Sequence, residues 1–455
     1  MGKVREPLSK HLFIVVAMAI PTLMVLFAIS FPQIPYSDYE QFRQQAVSFA
    51  DYTKGGILSL IYSWSFTLFP VPAQSALLVN ISSWFVFIFS VAPTSFRNKL
   101  SYFVLTFGLA CSGVWWIWCA STMEIMTVCI AFCALAGRLL YESIIAGNHR
   151  KSTLLAAVSF VFFVVVFSMR MQMAVVTAIA GILIVMFYGL ELLSRKSKRT
   201  NLKRGVFGQI FASTKTWVVF VATLVGVFVD KAFRLGSNRQ LDLEISDRAQ
   251  FYIGLFLPDR SPLWCGTWRP ESIAPIANEL NLSLFEVASK YLHSTNLSDF
   301  FALASCKINR SLTSATYITW VPKSASNLSS VADVESWMYT VEIASNLLLK
   351  AVFVIAFVIM TRKFLETKNT VVVICYLVLA AFLADFAILE FNPRYFWQMS
   401  GVLLSLYSIY LKTQEEIDGI GLFQLRGNTS SSPGNAGRQD LSKDHKFFNS
   451  IPAED

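Results

Sequence analysis

The side chains of this chain that can do chemistry are few, charged and widely spaced. Asp38 and Glu40 lie in Ser37-Asp38-Tyr39-Glu40, just after Pro35. Arg170 lies in Ser168-Met169-Arg170-Met171-Gln172, and Arg394 in Glu390-Phe391-Asn392-Pro393-Arg394-Tyr395-Phe396. A carboxylate can accept a proton, and a guanidinium fork can bond two oxygens of one anion. Both arginines fall in short turns between long apolar runs. An ionised side chain near the centre of a bilayer costs about 2.5–3.5 kcal/mol on insertion scales, so it needs a partner or a function. Plainer roles stand beside the chemical ones. Acids favour a helix N-terminus, and Glu40 completes a capping box with Ser37. The arginines can snorkel to headgroups or pair with Glu124, Asp385 or Glu390.

The elements that position these residues are set by apolar run length. The chain has 455 residues, of which 55% are hydrophobic, 14% aromatic and only 15% charged, with a mean hydropathy of +0.53. A soluble domain carries about 25% charged residues. A soluble enzyme, a disordered chain and a nucleic-acid-binding domain are therefore excluded. Runs of about 20 apolar residues suffice to cross the hydrocarbon. They occur at 11–31, 74–92, 100–119, 125–145, 154–169, 173–193, 216–236, 343–361, 370–389 and 396–411. The fold class is an all-α polytopic membrane protein with about ten transmembrane helices.

Positive charge in short loops sets orientation. Lys3, Arg5 and Lys10 precede the first run, and Arg97 with Lys99 follow the second. Arg150 and Lys151 follow the fourth, the basic stretch 195–204 the sixth, and Arg362 with Lys363 the eighth. All fall on one side, so both termini are expected in the cytoplasm of a multi-pass inner (plasma) membrane protein. This pattern also accounts for the net charge of +9 without an acidic partner. Residues 1–411 form the membrane domain, and 412–455 read as a disordered cytoplasmic tail.

Two segments then face outward, 32–73 and the long loop 237–342. In the first, the capping box starts an amphipathic surface helix running to about Asp51. The apolar stretch from Ile57 to Phe69, closed by Pro70 and Pro72, is too short to cross and reads as an interfacial or re-entrant helix. In the second, Ser283 caps a helix to about Leu292, and Asn296 or Ser298 caps another. Cys265 and Cys306 are the only cysteines outside the apolar runs, a candidate disulfide in an oxidising compartment. Trp115, Trp116 and Trp118 fall where an interfacial aromatic belt belongs. No CxxC or HExxH spacing suggests a metal cage, and the four histidines are scattered.

With these motifs, the chain resembles the C-type (GT-C) superfamily of membrane glycosyltransferases. The shared features are an acid just after the first span followed by two surface helices, an arginine in a short outer turn, and Asn-Pro-Arg-Tyr before the last span. The resemblance implies a catalytic base at Asp38, with Glu40 beside it. It implies that Arg170 and Arg394, with Tyr395 adjacent, hold the donor phosphate. It implies partners too: a polyprenyl-phosphate-linked sugar as donor, a glycan or lipid-linked oligosaccharide as acceptor, and membrane lipids, but no nucleic acid. No cofactor is called for, and a divalent metal is left open. Within the superfamily the chain resembles bacterial enzymes that decorate O-antigen or other surface polysaccharide. An O-antigen-type polymerase, with its arginines in large outer loops (Arg239, Arg248, Arg260, Arg269), and a lipid or solute transporter are the alternatives.

Overall fold

The computed structural model describes residues 8–30, 56–93, 98–122, 125–198, 214–235, 297–313, 331–367, 369–388 and 395–429. They are helical, with no strand among them. In chain order the helices are α1 (Leu8–Ser30), α2 (Gly56–Leu68), α3 (Pro72–Val91), α4 (Lys99–Trp118), α5 (Ile125–Ile145) and α6 (His149–Met169). They continue as α7 (Met171–Lys198), α8 (Thr214–Leu235), α9 (Leu297–Thr313), α10 (Val331–Thr367), α11 (Thr370–Ile388) and α12 (Tyr395–Thr429). Among the described residues nine helices are long and apolar enough to cross a membrane: α1, α3 to α8, α10 and α11. The protein is an all-α polytopic membrane protein.

Local chemistry starts these helices where the sequence allows. Asn98 caps α4 by accepting from the Ser101 amide at 3.2 Å, and Asn148 caps α6 by accepting from the Arg150 amide at 2.9 Å. Pro72 opens α3, where its missing N–H costs nothing. The 13-residue α2 forms as a short apolar helix. It buries Leu58, Tyr62 and Ser65 and exposes Leu60, Trp64 and Leu68. Ser75 at the start of α3 donates to the Ser65 hydroxyl at 2.7 Å, tying the two helices together.

Within an apolar slab every backbone group must be satisfied by the protein. Pro21 lies inside α1, so the carbonyl of Ala17, four residues earlier, loses its helical donor. The indole Nε1 of Trp84 on α3 donates to that carbonyl at 3.0 Å. A second crossing bond set is built on the fully buried Asn80. Its amide donates to the carbonyls of Cys119 and Thr122, each at 2.8 Å, and accepts from the Thr127 hydroxyl at 2.7 Å. One side chain thereby pins the α4–α5 turn against α3.

Helix α12 explains why its own run is less apolar than the others. Residues 395–404 are all buried, so the polar face made by Gln398, Ser400, Ser405 and Ser408 meets protein instead of lipid. Ser408 donates to the Val91 carbonyl at 2.8 Å. A Cβ on Gly401 would lie 2.5 Å from Ile130 of α5, so glycine there lets the two helices touch. A Cβ on Gly226 of α8 would meet the Val164 carbonyl of α6 at 2.9 Å.

Several expectations change at this stage. Trp115, Trp116 and Trp118 are not a lipid-facing belt, being at most 4% exposed. Trp115 stacks on Trp397, Trp116 meets Trp84 edge-on, and Trp118 contacts Phe27. They form the aromatic core because α1, α3 and α12 surround α4 there. Within the stretch 237–342 the described residues are α9 and the start of α10, which begins at Val331 and runs for 37 residues. Of the expected tail, the part to Thr429 is helical, where Gln414, Glu415 and Glu416 are good helix formers, and the rest lies outside the described residues. The surface helix expected at 37–51 and the helix from Ser283 lie outside the described residues.

The Pro21–Trp84 pairing makes a clear forecast. Trp84→Phe should lower stability by about 1–3 kcal/mol, the cost of a buried unmade hydrogen bond. Pro21→Ala in that background should restore much of the loss by returning an N–H to Ala17. Thermal unfolding of the two single variants and the double variant in detergent measures the coupling, and additive effects would contradict it.

Candidate functional site

One residue separates α6 from α7. Arg170 has extended backbone, with φ −140° and ψ 101°. Its N–H still closes the last turn of α6 onto the Val166 carbonyl at 3.0 Å, while its carbonyl accepts from Met173 at 3.1 Å to open α7. The chain thus reverses through the bilayer with a guanidinium at the tip, as the short turn in the sequence suggests.

The guanidinium does not reach outward alone. Its Cζ lies 4.9 Å from the ring centroid of Tyr395, the first residue of α12, a cation–π contact. An Nη2 donates to the Gln172 carbonyl oxygen at 3.5 Å. The amide of Gln172 in turn donates to Oδ2 of Asp385 on α11 at 2.6 Å. Asp385 is fully buried. A buried carboxylate needs compensating charge, and two cations supply it, Arg170 through Gln172 and Lys307 from α9. Lys307 is itself fully buried, with Nζ 3.5 Å from the Ala387 carbonyl on α11.

Four elements far apart in sequence therefore converge at one end of the bundle. The turn between α6 and α7 gives Arg170 and Gln172, α11 gives Asp385, α9 gives Lys307, and α12 gives Tyr395. Among the described residues the cluster brings two cations, Arg170 and Lys307, to the one carboxylate of Asp385. Two buried polar atoms of the cluster, Arg170 Nε and Asp385 Oδ1, make no hydrogen bond. One is a donor and the other an acceptor. One turn along α12 from Tyr395, both amide atoms of the fully buried Gln398 are likewise unpartnered. Such a set favours an anionic, hydroxyl-bearing ligand, because anions gain most from charged donors.

Of the residues singled out in the sequence, Arg170 and Tyr395 are in direct contact. Asp38, Glu40, Arg394 and Cys265 lie outside the described residues. Cys306, on α9, is disulfide-bonded, while the other described cysteines are free thiols. No cluster of three histidine, cysteine or acidic side chains able to hold a metal occurs among the described residues. Asp385 was visible in the sequence as a partner for Arg170, although the contact runs through Gln172. Gln172 and Lys307 were missed. The available signal for Lys307 was its place beside Ala304 on the apolar face of an otherwise amphipathic helix.

At the opposite end of the same membrane unit the charges are ordinary. Arg138 pairs with Glu142 at 2.7 Å, lies over the Phe89 ring and bonds the Phe89 carbonyl. Lys412 reaches the Ser90 carbonyl at 3.4 Å. These contacts cap the end of α3, and none of Arg138, Glu142 and Lys412 keeps a buried side-chain atom without a hydrogen bond. No family model, curated protein or solved structure matches the chain.

The cluster predicts unequal costs for two changes at Asp385. Asp385→Leu strands two cations and should destabilise by about 3–5 kcal/mol. Asp385→Asn keeps an acceptor for Gln172 and should cost clearly less. Thermal melts of both variants in detergent check the order, and equal melting temperatures would contradict it.

Proposed function

We propose that the protein transfers a sugar from a polyprenyl-phosphate-linked donor to a glycan or lipid-linked acceptor at the outer face of the membrane. The observation that carries this reading is the Arg170–Gln172–Asp385–Lys307 cluster, with its guanidinium nitrogen that makes no hydrogen bond. A lipid phosphate is already a good leaving group, so the reaction needs no general acid, unlike the paired carboxylates of glycoside hydrolysis. It needs cations to stabilise the departing phosphate and one carboxylate to take the acceptor's proton. Arg170 and Arg394 supply the first and Asp38 the second, with Glu40 beside it, and a single displacement inverts the anomeric centre.

Two features support an outward-facing site. Helix α6 starts at the basic pair Arg150 and Lys151, a cytoplasmic signature, and ends at Arg170 on the other side. The disulfide at Cys306 on α9 belongs in an oxidising compartment. On this reading residues 396–411 form a tenth span, both termini are cytoplasmic, and the protein acts on surface polysaccharide of the cell envelope.

One observation fits the transporter alternative equally well. A groove between α10 and α11 opens sideways from the bundle, and a lipid carrier needs such an opening as much as a transferase does. The two readings diverge on sugar transfer.

In vesicles containing the purified protein, a prenyl-phosphate sugar and an acceptor glycan, wild-type protein should produce the extended glycan. Asp38→Asn should abolish transfer while inserting normally, and Arg170→Ala should raise the donor KM more than the acceptor KM. Wild-type rates in Asp38→Asn would remove that residue from the mechanism. Equal effects of Arg170→Ala on donor and acceptor would make the arginine structural.

A further inference from the structure

Lys307 reaches the charged cluster from α9, a 17-residue amphipathic helix that is not among the nine long apolar ones. The face that α9 sets against α11 is small. Of its described side chains only Ala304 and Lys307 are buried, Leu303 and Ile308 are half-buried, and Phe301 is 62% exposed. Apolar area removed from water is what holds a helix to its neighbour. One alanine with two half-covered aliphatic side chains supplies little of it. The buried Lys307 ammonium opposes docking unless its charge is answered. The answer comes from α11: Nζ lies 3.5 Å from the Ala387 carbonyl and acts on the fully buried Asp385 carboxylate.

The residue before Lys307 is Cys306, which is disulfide-bonded, whereas the other described cysteines are free thiols. The cross-link is therefore one position from the buried ammonium. A covalent tether raises the local concentration of a docking element without adding a contact, so it offsets what the small face does not supply. Its influence extends past α9. Asp385 accepts from Gln172 at 2.6 Å, and Gln172 accepts from Arg170 at 3.5 Å. Lys307 thus shares with Arg170 the carboxylate that sets the position of Gln172.

We propose that the disulfide at Cys306 is a redox-sensitive clamp that keeps Lys307 in the cluster, and that Lys307 is a positioning residue for Arg170. A dithiol opens the clamp. Its thiolate attacks one sulfur of the bond, and its second thiol then resolves the mixed disulfide. The products are two protein thiols and one cyclic disulfide, with the two electrons and two protons supplied by the dithiol. Once α9 is free to leave, Lys307 takes its charge into water. Asp385 then keeps Arg170 as its remaining described cation, and the guanidinium shifts from the Tyr395 ring toward the carboxylate. The clamp itself is independent of the proposed function; its effect on sugar transfer rests on that reading.

The test takes full-length protein in phosphatidylcholine nanodiscs, with and without dithiothreitol. Amines are labelled by an N-hydroxysuccinimide ester and read by peptide mass spectrometry. Lys307 should be protected before reduction and label about tenfold or more faster after it. Lys363, whose side chain is 42% exposed, should label equally in both states. Reoxidation with oxidised glutathione should restore protection, and Cys306→Ser should label at the reduced rate with or without the dithiol. Unchanged labelling of Lys307 in protein whose disulfide is shown to be reduced would overturn the clamp. So would a loss of helical circular dichroism that reoxidation does not reverse, because the bond would then staple the whole fold. Reduction and Lys307→Gln should each lower sugar transfer about tenfold or more, without adding, and Lys307→Arg should restore it. Transfer undiminished in Lys307→Gln would overturn the positioning role. Absence of transfer in the oxidised wild type, with Lys307 labelling still controlled by the dithiol, would remove the proposed function and leave the clamp standing.

Discussion

A polar atom inside a membrane has no water to fall back on, and that constraint governs the arrangement of this protein. Pro21 releases a carbonyl in α1, and an indole from α3 has to answer it. The turn after α4 exposes carbonyls that Asn80 collects. The serines of α12 sit on a helix that the rest of the bundle encloses. Ser400 and Ser405 bond carbonyls of their own helix, but for Ala17, the turn after α4 and Ser408 the partner comes from another helix, so satisfying these groups also sets which helices are neighbours. The close approach at Gly401 and the aromatic packing of Trp84, Trp115, Trp116 and Trp397 then complete the core by dispersion.

The same constraint makes the Arg170 end of the bundle stand out. Burying a carboxylate and two cations costs free energy that apolar residues of similar size would not. The Arg138, Glu142 and Lys412 side chains at the other end bond each other and the carbonyls that close α3, whereas the Arg170–Gln172–Asp385–Lys307 cluster keeps a guanidinium nitrogen and a carboxylate oxygen without a hydrogen bond. Those unmatched atoms are what an anionic, hydroxyl-bearing substrate would use. Lys350 of α10, whose ammonium lies over the ring of Phe396 next to Tyr395, adds a third cation beside an apolar groove. Charge and groove together describe a place for an amphiphile with an anionic head, which is the chemistry of a lipid-linked sugar donor.

Much of this was legible in the sequence because the signals are local. Among the described residues apolar run length located nine helices long and apolar enough to cross a membrane, the Pro70–Pro72 boundary closed the short helix α2, and two long runs flanking Arg170 marked a tight turn. What escaped is non-local. Gln172 meets Asp385 across 213 positions, and Lys307 reaches α11 from a loop helix with no spacing that announces it. The tryptophans near the end of α4 looked like a lipid-facing belt, since a sequence does not show that α1, α3 and α12 close around them. Helix α10 starts earlier than its apolar run because Val331 to Tyr339 are helical but mixed in polarity, so hydropathy alone could not extend it.

The central claim is that the charged end of the bundle supports sugar transfer from a lipid phosphate outside the cell. The most direct measurement is the glycosyl composition of surface polysaccharide from cells that contain the protein and from cells that lack it. The account predicts a side-branch sugar present only when the protein is there, with backbone chain length unchanged. Identical compositions, or a change in chain length alone, would contradict it.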